Sequence, residues 1–271
     1  MKTEKFDLWT NVPGMCEEVP TITAYIPDNK TSDAAVVIFP GGAYSDRAKH
    51  EGAGYAKFLA ENGVTAFDVA YRVGAHKFPV QLLDARRAVK FARFKAKKYG
   101  ISKDKIAVMG SSAGGHLAAL VSTYIKEIEL GVEADEIENE AYLPNAQILC
   151  YPVIKGVGEF APTGSYKNLL GDKFDELVHE VIPVEIATEG TPQAFIWQTF
   201  ADEAVHITNS LCYAEKLKAL GTSVEMHIFP DGKHGIGLCV GDINKYEEPE
   251  ILAHNAQWTD LLLNWLKYIG F

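Results

Sequence analysis

Lys105-Ile106-Ala107-Val108-Met109-Gly110-Ser111-Ser112-Ala113-Gly114-Gly115-His116-Leu117-Ala118-Ala119-Leu120-Val121 is the stretch on which the reading of this chain turns. Its first five residues are a short apolar run of the kind a buried strand requires, and its last six read as the start of a helix. Between them lies a Gly-x-Ser-x-Gly spacing. A strand that turns sharply into a helix holds the middle residue of that spacing in a strained conformation. Its side chain then projects alone at the sheet's edge, with a helix N-terminus behind it. The glycines two positions to either side have no Cβ to block the turn. Ser112 is therefore the expected exposed hydroxyl. Ser111 competes for the role, but only Ser112 has glycine two positions away on both sides.

Three other stretches point to the same chemistry. Pro40-Gly41-Gly42-Ala43-Tyr44 follows the apolar run 34–39. A Gly-Gly pair there lets backbone N–H groups turn inward. Together with the N–H of Ala113, donors from Gly42 and Ala43 suit the oxyanion of a tetrahedral intermediate. Asp202 ends the apolar run 193–200, and His234 follows the run 223–229 within Asp231-Gly232-Lys233-His234-Gly235. All fall at the carboxyl ends of predicted strands, where open α/β sheets build their sites. A serine hydroxyl is a poor nucleophile until an imidazole takes its proton, and the imidazole needs a carboxylate to fix its tautomer. Glu203 competes with Asp202 only through a one-residue shift. Asp231 stands too close in sequence to His234 for a two-loop geometry. The chain order is Ser112, Asp202, His234.

On these residues the chain resembles the α/β-hydrolases, specifically the small carboxylesterase group that includes acetyl-xylan-esterase-like and hormone-sensitive-lipase-like enzymes. The resemblance is carried by Pro40-Gly41-Gly42-Ala43-Tyr44, Glu51-Gly52, Tyr71-Arg72-Val73, 105–116, Asn168-Leu169-Leu170-Gly171, Asp202 and 229–235, and so covers most of the chain. It implies a mainly parallel sheet with helices on both faces, a Ser112–His234–Asp202 triad, and hydrolysis of short acyl esters without a cofactor. Pro40 stands where many relatives have His, and Ala43 where many have a third Gly. The upstream oxyanion donor is therefore Gly42 or Ala43. Tyr44 is expected to line the acyl or leaving-group pocket. Glu51 recurs in the acetyl-esterase branch, with no role assignable from sequence.

The 271 residues suffice for one large core, and 47% hydrophobic with 23% charged residues is ordinary for a globular protein. A formal charge of −10 disfavours nucleic acid or an anionic membrane surface as a partner. No apolar run reaches the length of a membrane span, and the first residues lack the apolar core of a signal peptide. Cys16, Cys150, Cys212 and Cys239 show no close pairing. Reduced thiols in a cytoplasmic protein are the expectation. There is no His-Glu-x-x-His or similar ligand spacing, and the Asp231/His234 pair, which could touch a metal, competes with the triad for His234, so no metal is expected.

Strands alternate with amphipathic helices, without repeat or linker, so residues 1–271 read as a single domain. The segment 21–27 reads as an antiparallel edge strand. A long helix is predicted over 79–99, with Pro79 at its first position and Gly100 as its cap. Its cations Arg86, Arg87, Lys90, Arg93, Lys95, Lys97 and Lys98 read as a solvated face. The acidic block 127–140 reads as plain surface. The insertion 155–191 is expected to form a partial lid or pocket wall. His116 is expected behind the nucleophile, orienting the helix it sits on.

The leading expectation is a serine esterase for acetyl-type esters, acetylated sugars included. An amidase or peptidase of arylformamidase or prolyl-peptidase kind uses the same triad, although the prolyl peptidases carry a large extra domain. A non-enzymatic binding protein on this fold usually lacks a triad member, whereas all three positions are filled here. The oligomeric state is left open, a homo-oligomer included.

Overall fold

The computed structural model describes residues 1–14, 18–245 and 247–271, so Cys16 lies outside the described residues. Eight strands form one sheet: β1 (Lys2–Asp7), β2 (Thr21–Ile26), β3 (Ala35–Phe39), β4 (Thr65–Ala70), β5 (Ile106–Ser111), β6 (Ala146–Cys150), β7 (Gln193–Thr199) and β8 (Val224–Phe229). Their spatial order is β1-β2-β4-β3-β5-β6-β7-β8. β1 pairs with β2, and β2 with β4, in antiparallel fashion, and every other pairing is parallel. The expected α/β architecture is present. One correction concerns its edge. The strand at 21–26 is antiparallel as expected but is covered by β1, whose alternating charges and Phe6 carry little apolar signal.

Ten α-helices accompany the sheet among the described residues. They are α1 (Ala53–Glu61), α2 (Val80–Phe94), α3 (Ala96–Tyr99), α4 (Ala113–Thr123), α5 (Thr163–Leu170), α6 (Phe174–Leu177), α7 (Pro183–Ile186), α8 (Thr208–Ala219), α9 (Pro249–Asn255) and α10 (Trp258–Tyr268). All five residues of β3 are buried because both faces of the sheet are covered. Ala35, Val37 and Phe39 pack on the side of α2, α4 and α8, while Val36 and Ile38 pack on the side of α1 and α10. No helix among the described residues is long and apolar enough to cross a membrane.

The long helix predicted over 79–99 breaks at Lys95 into α2 and α3, and Pro79 is the N-cap rather than the first helical residue. Gly100 does close the second piece, at φ +61°. The cationic face is not solvated throughout. Arg86, Arg87 and Arg93 are buried under the arm 124–145. Arg87 meets Asp135 at 2.5 Å and Glu138 at 3.0 Å, and Lys90 meets Glu138 at 2.6 Å. Arg93 donates to the carbonyls of Ala141 and Leu143. The acidic block is therefore the counter-charge of the helix. Arginine tolerates this burial because its fixed fork satisfies several acceptors at once.

Candidate active site

The turn between β5 and α4 is built as the spacing predicts. Ser112 has φ +52° and ψ −121° at the N-cap of α4. A Cβ on Gly110 would lie 2.0 Å from the Gly114 carbonyl oxygen, and one on Gly114 would lie 2.0 Å from the Phe39 carbonyl oxygen. Both glycines are thus required by close backbone approach. Ladder bonds anchor the serine itself: Ser112 N–H donates to Cys150 O and Val153 N–H donates to Ser112 O, each at 3.0 Å.

Ser112 Oγ lies 2.8 Å from His234 Nε2, and His234 Nδ1 lies 2.7 Å from Asp202 Oδ2. Asp202 is buried after β7, and its other oxygen accepts the N–H groups of Ala204 (3.0 Å) and Val205 (2.9 Å). This turn leaves Oδ2 aimed at the imidazole. Nδ1 must then donate to the carboxylate, so Nε2 is the unprotonated nitrogen that faces the serine. Neither Asp231 nor Glu203 takes this place. Ser111 is buried beneath the turn, with Oγ 2.9 Å from the Tyr55 hydroxyl.

A cavity of about 680 Å³ opens over Ser112 and His234. Gly42 and Ala43 line one side, and Thr163, Ser165 and Asn168 line another. The insertion 155–191 thus contributes a pocket wall. No protein acceptor among the described residues takes the N–H of Gly42, Ala43 or Ala113. Among the described residues no three His, Cys, Asp or Glu side chains gather in a way that would hold a metal.

Tyr44 does not line this cavity. It is buried at φ +60°, with its hydroxyl 2.6 Å from His116 Nδ1. Two consecutive left-handed residues, Ala43 and Tyr44, turn the ring inward and away from the expected pocket. His116 is fully buried behind the nucleophile, and its Nε2 donates to the Val181 carbonyl at 2.8 Å. Val181 O can only accept, so Nδ1 receives the tyrosine proton. Burial pulls the His116 pKa down from 6.5 to about 4, and the ring is neutral.

Sequence reasoning gave no role to Glu51, Tyr151 or Tyr55. The buried Glu51 accepts the Gly41 N–H at 2.9 Å and the Tyr151 O–H at 2.7 Å. Desolvation pushes its pKa up, against the opposing pull of those donors and of His50 and His234. Tyr151 sits just past β6, at φ +38°, with its ring edge-on to His234 at 5.0 Å. The strand-end rule that found Asp202 finds Tyr151 too when it is applied to every strand.

The fold and this constellation place the chain among the α/β-hydrolases of the carboxylesterase type. Residues 22–217 match the model of the BD-FAE family, and the chain belongs to that family. It is similar to an acetylxylan esterase of Xylanibacter ruminicola, at 29% identity over 98% of this chain and 51% of that protein. It is also similar to an endo-1,4-beta-xylanase B of Butyrivibrio fibrisolvens, at 30% identity over 80% of this chain and 35% of that protein. The chain therefore spans about half, or less, of the length of these relatives. A solved acetyl ester-xyloside bifunctional hydrolase from Caldicellulosiruptor lactoaceticus superposes with a TM-score of 0.86 at 37% identity, over 99% of this chain and 97% of that one.

Proposed function

We propose that this protein is a serine esterase that removes short acyl groups, acetyl foremost, from carbohydrate alcohols. The observation that carries the reading is the continuous relay Ser112–His234–Asp202, with contacts of 2.8 and 2.7 Å, at a cavity bordered by Gly42 and Ala43. Ser112 Oγ attacks the ester carbonyl while His234 Nε2 takes its proton, and Asp202 stabilises the resulting imidazolium. The carbonyl oxygen becomes an oxyanion held by Ala113 N–H and by Gly42 or Ala43 N–H. Collapse of the intermediate expels the alcohol, which receives the proton from His234. Water then repeats the sequence on the acyl-serine and releases the acid. Each step conserves atoms and charge without a cofactor.

The small acyl group is supported by the cavity wall, where Gly42, Ala43, Ala48 and Ala161 offer little apolar length. Each methylene gains about 0.8 kcal/mol only where apolar wall buries it. His50, Thr163, Ser165 and Asn168 give the same cavity a polar side suited to a sugar leaving group. The acetylxylan-esterase relative supports that substrate class. The buried thiols Cys150 and Cys239 fit a reducing, cytoplasmic setting. The test is kcat/KM for p-nitrophenyl acetate, butyrate, octanoate and palmitate, then for acetylated xylo-oligosaccharides and a matched anilide. We expect a maximum at acetate to butyrate and release of acetate from the saccharide. A maximum at octanoate or beyond, or faster turnover of the anilide, would sink this reading.

A further inference from the structure

We propose that Glu51 is a positioning residue that fixes the spacing between the loop carrying the oxyanion donors and the loop carrying His234. The inference rests on the esterase reading. Glu51 Oε2 accepts the N–H of Gly41, the residue before the first candidate oxyanion donor. Glu51 Oε1 accepts the hydroxyl proton of Tyr151, and that hydroxyl in turn accepts the Gly237 N–H at 3.1 Å, three residues past His234. One carboxylate and one phenol thus connect the two loops through three hydrogen bonds in series. His50, next to Glu51, adds a second tie through Nε2 to the Gly235 carbonyl at 2.9 Å.

The packing leaves little slack in this connection. Glu51 is 3% exposed, and a Cβ on Gly41 would lie 2.5 Å from Glu51 Oε2 and 2.7 Å from Ser111 O. Gly41 is therefore held between the carboxylate and the backbone of the elbow. The Tyr151 hydroxyl also lies 3.2 Å from that of Tyr55, which reaches Ser111 Oγ at 2.9 Å. The network so touches all three parts of the site: the oxyanion loop, the base loop and the elbow. Both oxygens of Glu51 face donors, so the arrangement calls for an acceptor at each. A glutamine has one oxygen and one NH₂. With its oxygen on Gly41 N–H, its NH₂ faces the Tyr151 hydroxyl, which can accept it only by turning its own proton away from residue 51, toward the Tyr55 oxygen 3.2 Å away. The short Tyr151–Glu51 hydrogen bond is reversed, and the spacing of the two loops loosens.

The test compares wild type with Glu51→Gln, Tyr151→Phe and the double variant in the full chain, with rates normalised to active sites titrated by a fluorophosphonate. For Glu51→Gln we expect kcat on p-nitrophenyl acetate to fall about 30-fold, short of the roughly 10²–10³-fold loss of a whole oxyanion donor, with KM changed less than about threefold. Affinity for a boronic acid that forms a tetrahedral adduct on Ser112 should fall in parallel with kcat. Tyr151→Phe should lose about fivefold, and the double variant should match Glu51→Gln, because the two act through one link. A merely structural role would lower the titratable fraction or Tm and leave kcat per active site and boronate affinity alone. That result overturns the inference. Should Glu51→Gln not fold, Tyr151→Phe decides by the same two readouts. A wild-type protein with neither ester turnover nor label on Ser112 sinks the esterase reading and this inference together. An active, labelled wild type with an unaffected Glu51→Gln sinks this inference alone.

Discussion

The elbow at Ser112 and the loop 40–44 both rest on backbone that L-residues seldom adopt, yet they are held in different ways. Ser112 has φ +52°; in the loop Gly42, Ala43 and Tyr44 follow one another at +129°, +52° and +60°. Left-handed non-glycine residues cost about 1–3 kcal/mol each, so both regions need outside support. The elbow takes it from the sheet. Its serine is tied by main-chain bonds to 150 and 153, and two glycines interlock with neighbouring carbonyls. The loop has main-chain bonds too, Gly74 N–H to Tyr44 O at 2.8 Å among them, but it also leans on side chains, two of them remote in sequence. Asn168 donates to Ala43 O at 2.8 Å across 125 positions, His116 holds the Tyr44 hydroxyl across 72, and Glu51 holds Gly41. The nucleophile's pose is therefore a property of backbone pairing. The loop's pose depends on side-chain packing as well, and single side-chain changes can shift it.

The comparison is sharpened first at the elbow. Ser112→Ala should lower kcat by about 10⁶-fold and abolish fluorophosphonate labelling, the scale on which loss of a triad nucleophile acts. Ser111→Ala should cost no more than about tenfold, since it removes one buried hydrogen bond to Tyr55. Peptide mapping of the label to Ser111 would reverse that assignment.

Next comes the base. Asp202→Asn should keep the fold and lower kcat by about 10⁴-fold, because the amide no longer holds the imidazole in the tautomer the serine needs. Near-normal turnover in Asp202→Asn, together with collapse in Asp231→Asn, would overturn the role of the acid.

The loop's supports should give smaller effects that depend on conditions. His116 has a folded pKa of about 4 against an ordinary 6.5. The unfolded chain takes up that proton first, so the stability it confers is present above pH 6.5 and is lost as pH falls toward 4. Between pH 7 and pH 4, wild type should lose about 3 kcal/mol of unfolding free energy relative to His116→Gln. Urea titrations at both pH values measure this, and parallel pH profiles for the two proteins would show that His116 is not the group responsible. The smallest effect is expected at Asn168→Ala. Loss of one hydrogen bond of about 1 kcal/mol should lower kcat about fivefold and leave labelling stoichiometry intact. An unchanged kcat would show that Asn168 leaves the loop's pose alone.

Much of this is legible in the sequence. Apolar runs that lead into Ser112, Asp202 and His234 put all three near the carboxyl ends of strands, and a Gly-x-Ser-x-Gly spacing set between a strand and a helix suits a sharp turn around the serine. Those readings depend on local sterics and on short-range hydrophobic pattern, which a chain displays in its order of residues. The edge strand β1 was not legible, because it buries few side chains. The burial of Arg86, Arg87 and Arg93 was not legible either, since it depends on an arm some 40 to 50 residues further on.

Composition and spacing by themselves determined the layered α/β design, the nucleophile's turn, and the order in which serine, carboxylate and histidine appear. Tertiary structure alone decided that Tyr44 turns inward to His116, that Asn168 of the insertion 155–191 reaches Ala43, and that Glu51 and Tyr151 join the two loops. The physical reason is the range of the interaction. A turn or a strand is chosen by neighbours within a few residues. A buried hydrogen bond is chosen by whichever partner the packed chain brings within about 3 Å, and a linear sequence does not carry that distance.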